Sequence, residues 1–332
     1  MRKLALSDEI LLKVDKAARY IGGEVNSVMK DKNAVDIRFA MCFPDVYEIG
    51  MSNLGMMILY NMFNQREDVW CERLFSPWPD LDKVMREKKI PLFALESQEP
   101  IRDFDFLGIT IGYEMCYTNI LQVLDLSGIP LKSADRGEDF PIVIGGGACA
   151  YIRSRWHLFL ICFISEKGKR FMMHFLMHTR PIKKAGGSRK DFLLAAAKIP
   201  GIYVPSLYEV TYKEDGTIAS FAPTADGVPE KVQKQLIIDM EKEYRAVEAP
   251  VVPHIKATQD RVTLEIQRGC IRGCRFCQAG MIYRPTRERD VETLKESARI
   301  MLKNTGHEEI SLSSLSSSDY SQLKELVNFL IE

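Results

Sequence analysis

Short apolar runs alternate along this chain with helix-period segments of roughly a dozen residues, and that alternation constrains the fold more than any other feature. "AVDIRFAMCFP" (34–44), "VWCERLFS" (69–76), "FDFLGITIGYE" (104–114) and "PIVIGGG" (141–147) read as strands. Between them, "SNLGMMILYNMFN" (52–64, capped by Ser52), "WPDLDKVMREKK" (78–89) and "TNILQVLDLSG" (118–128, closed by Gly128) read as helices. Residues 7–20 read as a first helix capped by Ser7, and "PLFALES" (91–97) as extended. The pattern predicts an α/β fold with a doubly wound parallel-sheet N-terminal domain. Ligands in such sheets sit beyond the carboxyl ends of the strands, here the loops 43–52 and 145–150.

A second pattern follows. "YEVTYKEDGTIASFAP" (208–223) places Asp-Gly between alternating runs, which is a hairpin signal. Pro, Lys and Glu are frequent from 224 to 260, and 236–260 reads as a linker between a domain at 1–235 and another at 261–332. The latter opens with the strand "VTLEIQ" (262–267). A helix (290–304) capped by Asp290 and stopped by Gly306 comes next, then the strand "EEISLSSL" (308–315) and a helix from about Asp319 onward. A length of 332 residues leaves room for two domains. Net charge is zero, which removes any compositional argument for nucleic acid or an anionic membrane. Asp8, Glu9 and Lys13 interrupt the first apolar stretch, so no signal peptide is expected. "RWHLFLICFI" (155–164) is too short to cross a membrane, and a cytoplasmic location is expected.

Eight cysteines occur. Cys42, Cys71, Cys116, Cys149 and Cys162 are scattered and read as buried, reduced thiols. Cys270, Cys274 and Cys277 form C-x3-C-x2-C directly after a predicted strand, in "GCIRGCRFCQAG" (269–280). Three thiolates in one loop can face one centre. A structural zinc site needs four closed ligands, and His254 and His307 are both distant in sequence. A [4Fe–4S] cluster is ordinarily held by four cysteines; with three, one iron stays open for a substrate or cofactor. A zinc site and a cluster-based redox sensor remain the alternatives.

The triad, with Phe276 just before its third cysteine, resembles the radical S-adenosylmethionine (SAM) enzymes. "YRPTRERDVETLKESARIML", leading to the next strand, fits the first units of that family's (β/α)6 barrel. The resemblance implies that the cysteines hold a [4Fe–4S] cluster whose open iron binds SAM. It implies a reductant such as flavodoxin or ferredoxin as partner. Many members carry Gly-Gly-Glu after the second barrel strand to contact the SAM amino group. This chain has "LSSLSSSDY" (312–320), where Ser313 and Ser314 offer acceptors or simply form a loop. Arg268, Arg272, Arg275, Arg284, Arg287 and Arg289 surround the motif and suit a carboxylate, an RNA backbone or local ion pairs.

A doubly wound domain ahead of this motif resembles the cobalamin-binding radical enzymes. Corrinoid domains often carry Asp-x-His-x-x-Gly after the first strand. The chain has Asp45, Tyr47 and Gly50 in that pattern, with tyrosine in place of the cobalt-ligating histidine. Gly145, Gly146 and Gly147 would let backbone approach a ring or its nucleotide tail, or the domain serves only as scaffold. "RYIGGEVNSV", "FPDVYEIGMSNLG", "CIRGCRFCQAGMIYRP" and "EEISLSSLSSSDY" together resemble an uncharacterised bacterial family of B12-binding-domain-containing radical SAM proteins. That family's substrate is unknown. Only about two βα units follow residue 261 where the family's barrel has six, so the chain is expected to be a truncated product, inactive alone.

Residues 152–182 break the pattern. They hold three of the five histidines, six Lys and Arg, and one acid, Glu166, without helix or strand periodicity. The resemblance stops here and resumes at "KKAGGS". Codons can be chosen so that a start one base earlier encodes Asn-Pro-Glu-Pro-Leu-Ala-Pro-Phe-Phe-Asp-Leu-Phe-Tyr-Ile-Gly-Glu-Gly-Glu-Glu-Val-Tyr-Asp-Ala. Trp156–His157 then yields Ala, and Met172–Met173 yields Asp, with almost no freedom. The expectation is a base lost near Tyr151 and the frame restored at Lys183–Lys184, leaving a stretch with no evolved fold. Resequencing the locus should reveal the missing base; an unbroken frame in independent reads and in close relatives would end the idea.

Overall fold

The computed structural model describes residues 4–151, 158–160, 162–164, 185–243 and 247–332. After one helical turn, α1 (Asp8–Leu11), come β1 (Ile37–Phe43), α2 (Tyr47–Gly50), α3 (Leu54–Asn64), β2 (Val69–Phe75) and α4 (Pro79–Lys88). Then β3 (Phe106–Thr110), α5 (Tyr117–Leu126), β4 (Ile142–Gly146), β5 (Cys162–Ile164), α6 (Arg189–Ala197) and β6 (Ile202–Tyr203) follow. These strands form one sheet in the order β2-β1-β3-β4-β5-β6, parallel except for β6. β1 and β3 are neighbours although β2 lies between them in sequence. β2 lies on one side of β1 and β3 on the other, so the carboxyl ends of β1 and β3 mark the switch point where a doubly wound sheet forms its crevice.

Both sheet faces are covered, which is why β2 is buried at every position. One face packs Phe39 between Phe63 (ring centroids 4.7 Å apart) and Phe106 (5.8 Å). The other packs Ala40, Cys42 and Leu107 against Ile120, Val123 and Leu124 of α5. The expected strand–helix order holds here. The expected helix at 7–20 does not: it stops after one turn, and a 3-10 turn forms at Ala17–Arg19. The Asp15 N–H donates to Asp80 Oδ2 (2.7 Å) rather than back along a helix, and Arg19 turns to Glu48. The cap of α3 is Asn53, whose Oδ1 accepts from Met56 N (2.9 Å). Ser52, the expected cap, instead donates to Glu48 O and accepts from Gln259 N. Of the extended stretch expected at 91–97, Phe93 forms an isolated bridge to Pro100, and the chain turns at 95–97, with Gln98 at φ +64°.

Most of 152–182 lies outside the described residues. Of it, β5 pairs parallel with β4, and Leu160 is fully buried. The stretch expected to lack an evolved fold thus lies mostly outside the described residues.

The hairpin forms as expected from β7 (Tyr208–Tyr212) and β8 (Ile218–Pro223), with Gly216 at φ +79°. The 236–260 stretch contains one turn, α7 (Met240–Glu243). It is tied to the first domain by Val252 N to Val25 O (3.0 Å) and Thr258 N to Glu48 O (3.1 Å).

The last part comprises β9 (Val262–Glu265), β10 (Gln267–Arg268), α8 (Gln278–Ile282), β11 (Arg287–Glu288), α9 (Val291–Thr305), β12 (Ile310–Ser313) and α10 (Leu323–Ile331). β9 and β12 pair parallel and β10 pairs antiparallel with β11, so the unit is barrel-like and open. α9 starts where Asp290 accepts from Glu292 N (2.9 Å) and Thr293 N (3.2 Å), and ends at Gly306, φ +73°. Val262, Leu264 and Ile266 join Leu294, Ala298 and Met301 of α9 and Leu326 of α10 in one core. Ile310 and Leu312 of β12 pack on it too. Strand alternation then sends Thr263, Glu265, Ser311 and Ser313 to the opposite, polar face.

Glu48 joins the first domain's edge to its N-terminal segment. Its Oε1 accepts from Lys16 Nζ (2.9 Å) and Arg19 Nη2 (2.8 Å), and its Oε2 from Arg19 Nε (3.0 Å). Burial disfavours its charged form, but these hydrogen bonds outweigh burial and hold its pKa down at about 2, against an ordinary 4.5. A depressed carboxylate contributes stability above its unfolded-state pKa and loses it as pH falls through its folded one. Between about pH 4.5 and 2, wild type should lose on the order of 1 kcal/mol from this group, after allowance for solvent screening. Urea unfolding of Glu48→Gln should show that share of the pH dependence removed; an unchanged slope would refute the assignment.

Candidate metal centre

The cysteine loop leaves β10 through Gly269, at φ +84°. A Cβ there would lie 2.5 Å from Pro285 O and 2.8 Å from Tyr283 O, so only glycine lets the loop pass beneath 283–286. Cys270 and Cys277 are half-buried and Cys274 is exposed. The Arg272 N–H points at Cys270 Sγ (3.5 Å), and Gly280 N donates to Cys277 Sγ (3.4 Å) at the start of α8. Cys277 N donates to Cys274 O (3.1 Å), closing the turn.

The structure brings the three cysteines onto one short loop. It does not gather their sulfurs: among the described residues no three His, Cys, Asp or Glu side chains are placed to hold a metal ion. His254, one possible fourth ligand, has Nε2 at 3.2 Å from Gly22 O in the first domain. The donor set, three thiols with two sulfurs already met by N–H groups, fits an iron–sulfur cluster better than a closed four-ligand zinc site.

Phe276 is 92% exposed, with Ile271 and Met281 exposed near it in sequence. Of the six arginines, four are engaged within the fold. Arg268 grips Glu265 through two bonds of 2.9 Å, and Arg272 grips Asp319 at 2.7 Å with a second, shorter bond. Arg287 is buried and donates to Ile237 O (2.8 Å), and Arg289 is buried beside Glu241. Arg275 and Arg284 stay exposed.

Ser313 ends β12 opposite Glu265. Ser314 Oγ serves its own loop, accepting from Ser316 N (3.0 Å) and lying 3.1 Å from Ser317 Oγ. A residue that motif reading misses is Gln267. It is 2% exposed, and its Nε2 donates to Ser316 O (2.6 Å) and reaches toward Ser314 Oγ (3.5 Å). The visible signal was the run of polar residues at every second position, Thr263, Glu265 and Gln267.

In the first domain, the residues expected to meet a corrinoid are used by the protein itself. Tyr47 is 1% exposed, and its hydroxyl donates to Glu24 Oε1 (3.0 Å). Burial, then the Glu24 charge, pushes its pKa far up, so it stays a neutral phenol inside the core. A Cβ on Gly50 would lie 2.2 Å from the Phe75 ring. One on Gly145 would meet Leu160 Cδ1 (2.5 Å) and one on Gly147 would meet Ile111 O (2.6 Å), while Gly146 O accepts from Ile111 N (2.6 Å). These glycines answer to packing against the chain. Asp45 is partly exposed at the β1–β3 crevice and is bonded by the Tyr113 hydroxyl from the loop after β3.

Replacing Cys270, Cys274 and Cys277 together by Ala should abolish iron binding and the broad visible absorbance of a reconstituted cluster. Full iron loading of that variant would sink the assignment of this loop.

The family of N-terminal regions of radical SAM proteins matches residues 55–205, and the radical SAM superfamily matches residues 264–332. An uncharacterized protein of Methanocaldococcus jannaschii, MJ0966, is 24% identical over 296 residues, which are 88% of this chain and 52% of that protein. The chain thus spans about half the length of this curated relative. Two solved structures of the radical S-adenosylmethionine methyltransferase TsrM from Kitasatospora setae are also similar, one with tryptophan and a SAM analogue bound and one with cobalamin and a [4Fe–4S] cluster bound. Their TM-scores are 0.47 and 0.46 at 12% and 13% identity, over 88% of this chain and 50% of theirs. No helix among the described residues is long and apolar enough to cross a membrane. The two radical SAM matches together take in more than half of the sequence, the second of them containing all three clustered cysteines, and the chain belongs to the radical SAM superfamily.

Proposed function

We propose that this chain contributes the cluster-binding and SAM-binding part of an enzyme that generates a 5′-deoxyadenosyl radical. The observation that carries the reading is the three-cysteine loop at the carboxyl end of the β9–β10 strand, inside the segment matched to the superfamily. Cys270, Cys274 and Cys277 would hold a [4Fe–4S] cluster. Bound there, the cluster supplies the electron that splits the S–C5′ bond of SAM. The protein's own part is positional. Gly269 fixes where the loop leaves the strand, and Arg272–Asp319 fastens the loop to the turn after β12. Exposed Arg275, next to the most exposed thiol, Cys274, and exposed Arg284 further along the chain suit an acidic electron carrier such as flavodoxin or ferredoxin.

Cobalamin is a separate matter. The residues present do not fit it where the sequence pattern put it: Tyr47 is sealed in the core, and the glycine-rich strand end is packed by Leu160 and Ile111. We derive no step through cobalt.

The test is anaerobic reconstitution followed by reduction. Addition of SAM should change the electron paramagnetic resonance spectrum of the reduced cluster, because SAM ligates it. A spectrum indifferent to SAM would favour a metal-binding or redox-sensing protein instead.

A further inference from the structure

Gln267 ends the polar face of the barrel-like unit, between the cysteine loop and the serine loop that follows β12. It is buried, and its amide is anchored at one end only. The nitrogen donates to Ser316 O (2.6 Å), while the oxygen, Oε1, is buried without a hydrogen-bond partner. Turning the amide over would set two oxygens against each other at Ser316, so the acceptor end is fixed by the donor end. A buried acceptor with no donor is costly, and folded proteins keep such groups where something else completes them.

The missing partner must bring an N–H or O–H donor. The neighbouring carboxylates are already taken, Glu265 by Arg268 and Asp319 by Arg272. From the end of β12 the chain runs Ser313, Ser314, Leu315 and Ser316, with no acid before Asp319. In the serine loop beside the amide, Ser314 Oγ lies 3.1 Å from Ser317 Oγ.

From this placement we infer that Gln267 Oε1 is the acceptor for the ammonium group of the SAM methionine moiety, a neutral group in the role a carboxylate would otherwise fill. The inference rests on the reading proposed above. Gln267 is a positioning residue: it orients the amino acid end of SAM beside the cysteine loop.

The experiment compares wild type, Gln267→Leu and Gln267→Glu in the 332-residue chain, each reconstituted with iron and sulfide and assayed for iron content. Equilibrium binding is then measured for SAM and for its analogue lacking the α-amino group. Wild type should prefer SAM. Gln267→Leu should narrow that preference by about tenfold, equivalent to about 1.4 kcal/mol, and Gln267→Glu, which must carry its proton on the oxygen facing Ser316 O, should keep it. A Gln267→Leu protein with the wild-type preference overturns the inference and leaves the SAM reading standing. So does a wild type that binds both ligands equally. A wild type that loads iron but binds neither ligand overturns both. If Gln267→Leu fails to load iron, Gln267→Glu decides, and loss of the preference there overturns the inference.

Discussion

The Arg73 guanidinium, 2% exposed and clamped between two glutamates, organises the β2 edge of the first domain's sheet. Nη1 and Nη2 donate to Glu24 (3.1 and 2.7 Å), Nε donates to Glu96 Oε1 (2.6 Å), and its own backbone N–H donates to Glu96 Oε2 (2.6 Å). The plane lies 5.4 Å from the Tyr60 ring centroid. Burial alone would push the Glu24 carboxyl up, yet the charge and hydrogen bonds of Arg73 bring it below its ordinary range. Removing one partner of such a buried set typically costs about 3–5 kcal/mol, because the others are left uncompensated. Four separate stretches meet here: the N-terminal segment through Glu24, β2 through Arg73, the 91–99 turn through Glu96 and the first loop through Tyr47.

That cluster explains why the first domain's ligand pattern misleads. Asp45-x-Tyr47-x-x-Gly50 matches a motif letter by letter except at Tyr47. In space, Tyr47 completes the acid network through Glu24, and Gly50 yields to Phe75. Neither partner is near in sequence, so spacing alone cannot show it. Residues whose structure depends on local bonds were legible: Asp290 caps α9, Gly306 ends it and Asp215-Gly216 turns the hairpin. The 7–20 helix and the Ser52 cap failed for the opposite reason. Asp80 and Glu48 claim Asp15 and Arg19, and Gln259 binds the Ser52 hydroxyl, each from far along the chain.

The cysteine motif was legible because its members are neighbours in sequence. The convergence of the three sulfurs was not, since backbone N–H groups of the same loop hold Cys270 Sγ and Cys277 Sγ. The arginines show the limit of counting charge. Six basic residues around one motif read as an anion-binding surface, but Glu265, Asp319, Glu241 and the Ile237 carbonyl absorb four of them.

The two faces of β9 and β12 connect the fold to the site. One face is apolar because α9 and α10 must be anchored, and Leu264, Ile266, Leu294 and Leu326 do so. The period of two then leaves the other face to Thr263, Glu265, Ser311 and Ser313. Parallel strands end on the same side of a sheet, so the loops after β10 and β12 are necessarily neighbours. Arg272–Asp319 and Gln267–Ser316 are the bonds that this adjacency permits. The thiol loop therefore owes its position to the strands on which it stands. A cluster held there would lie at the end of the polar face, where polar side chains can meet a ligand without disturbing the helices behind.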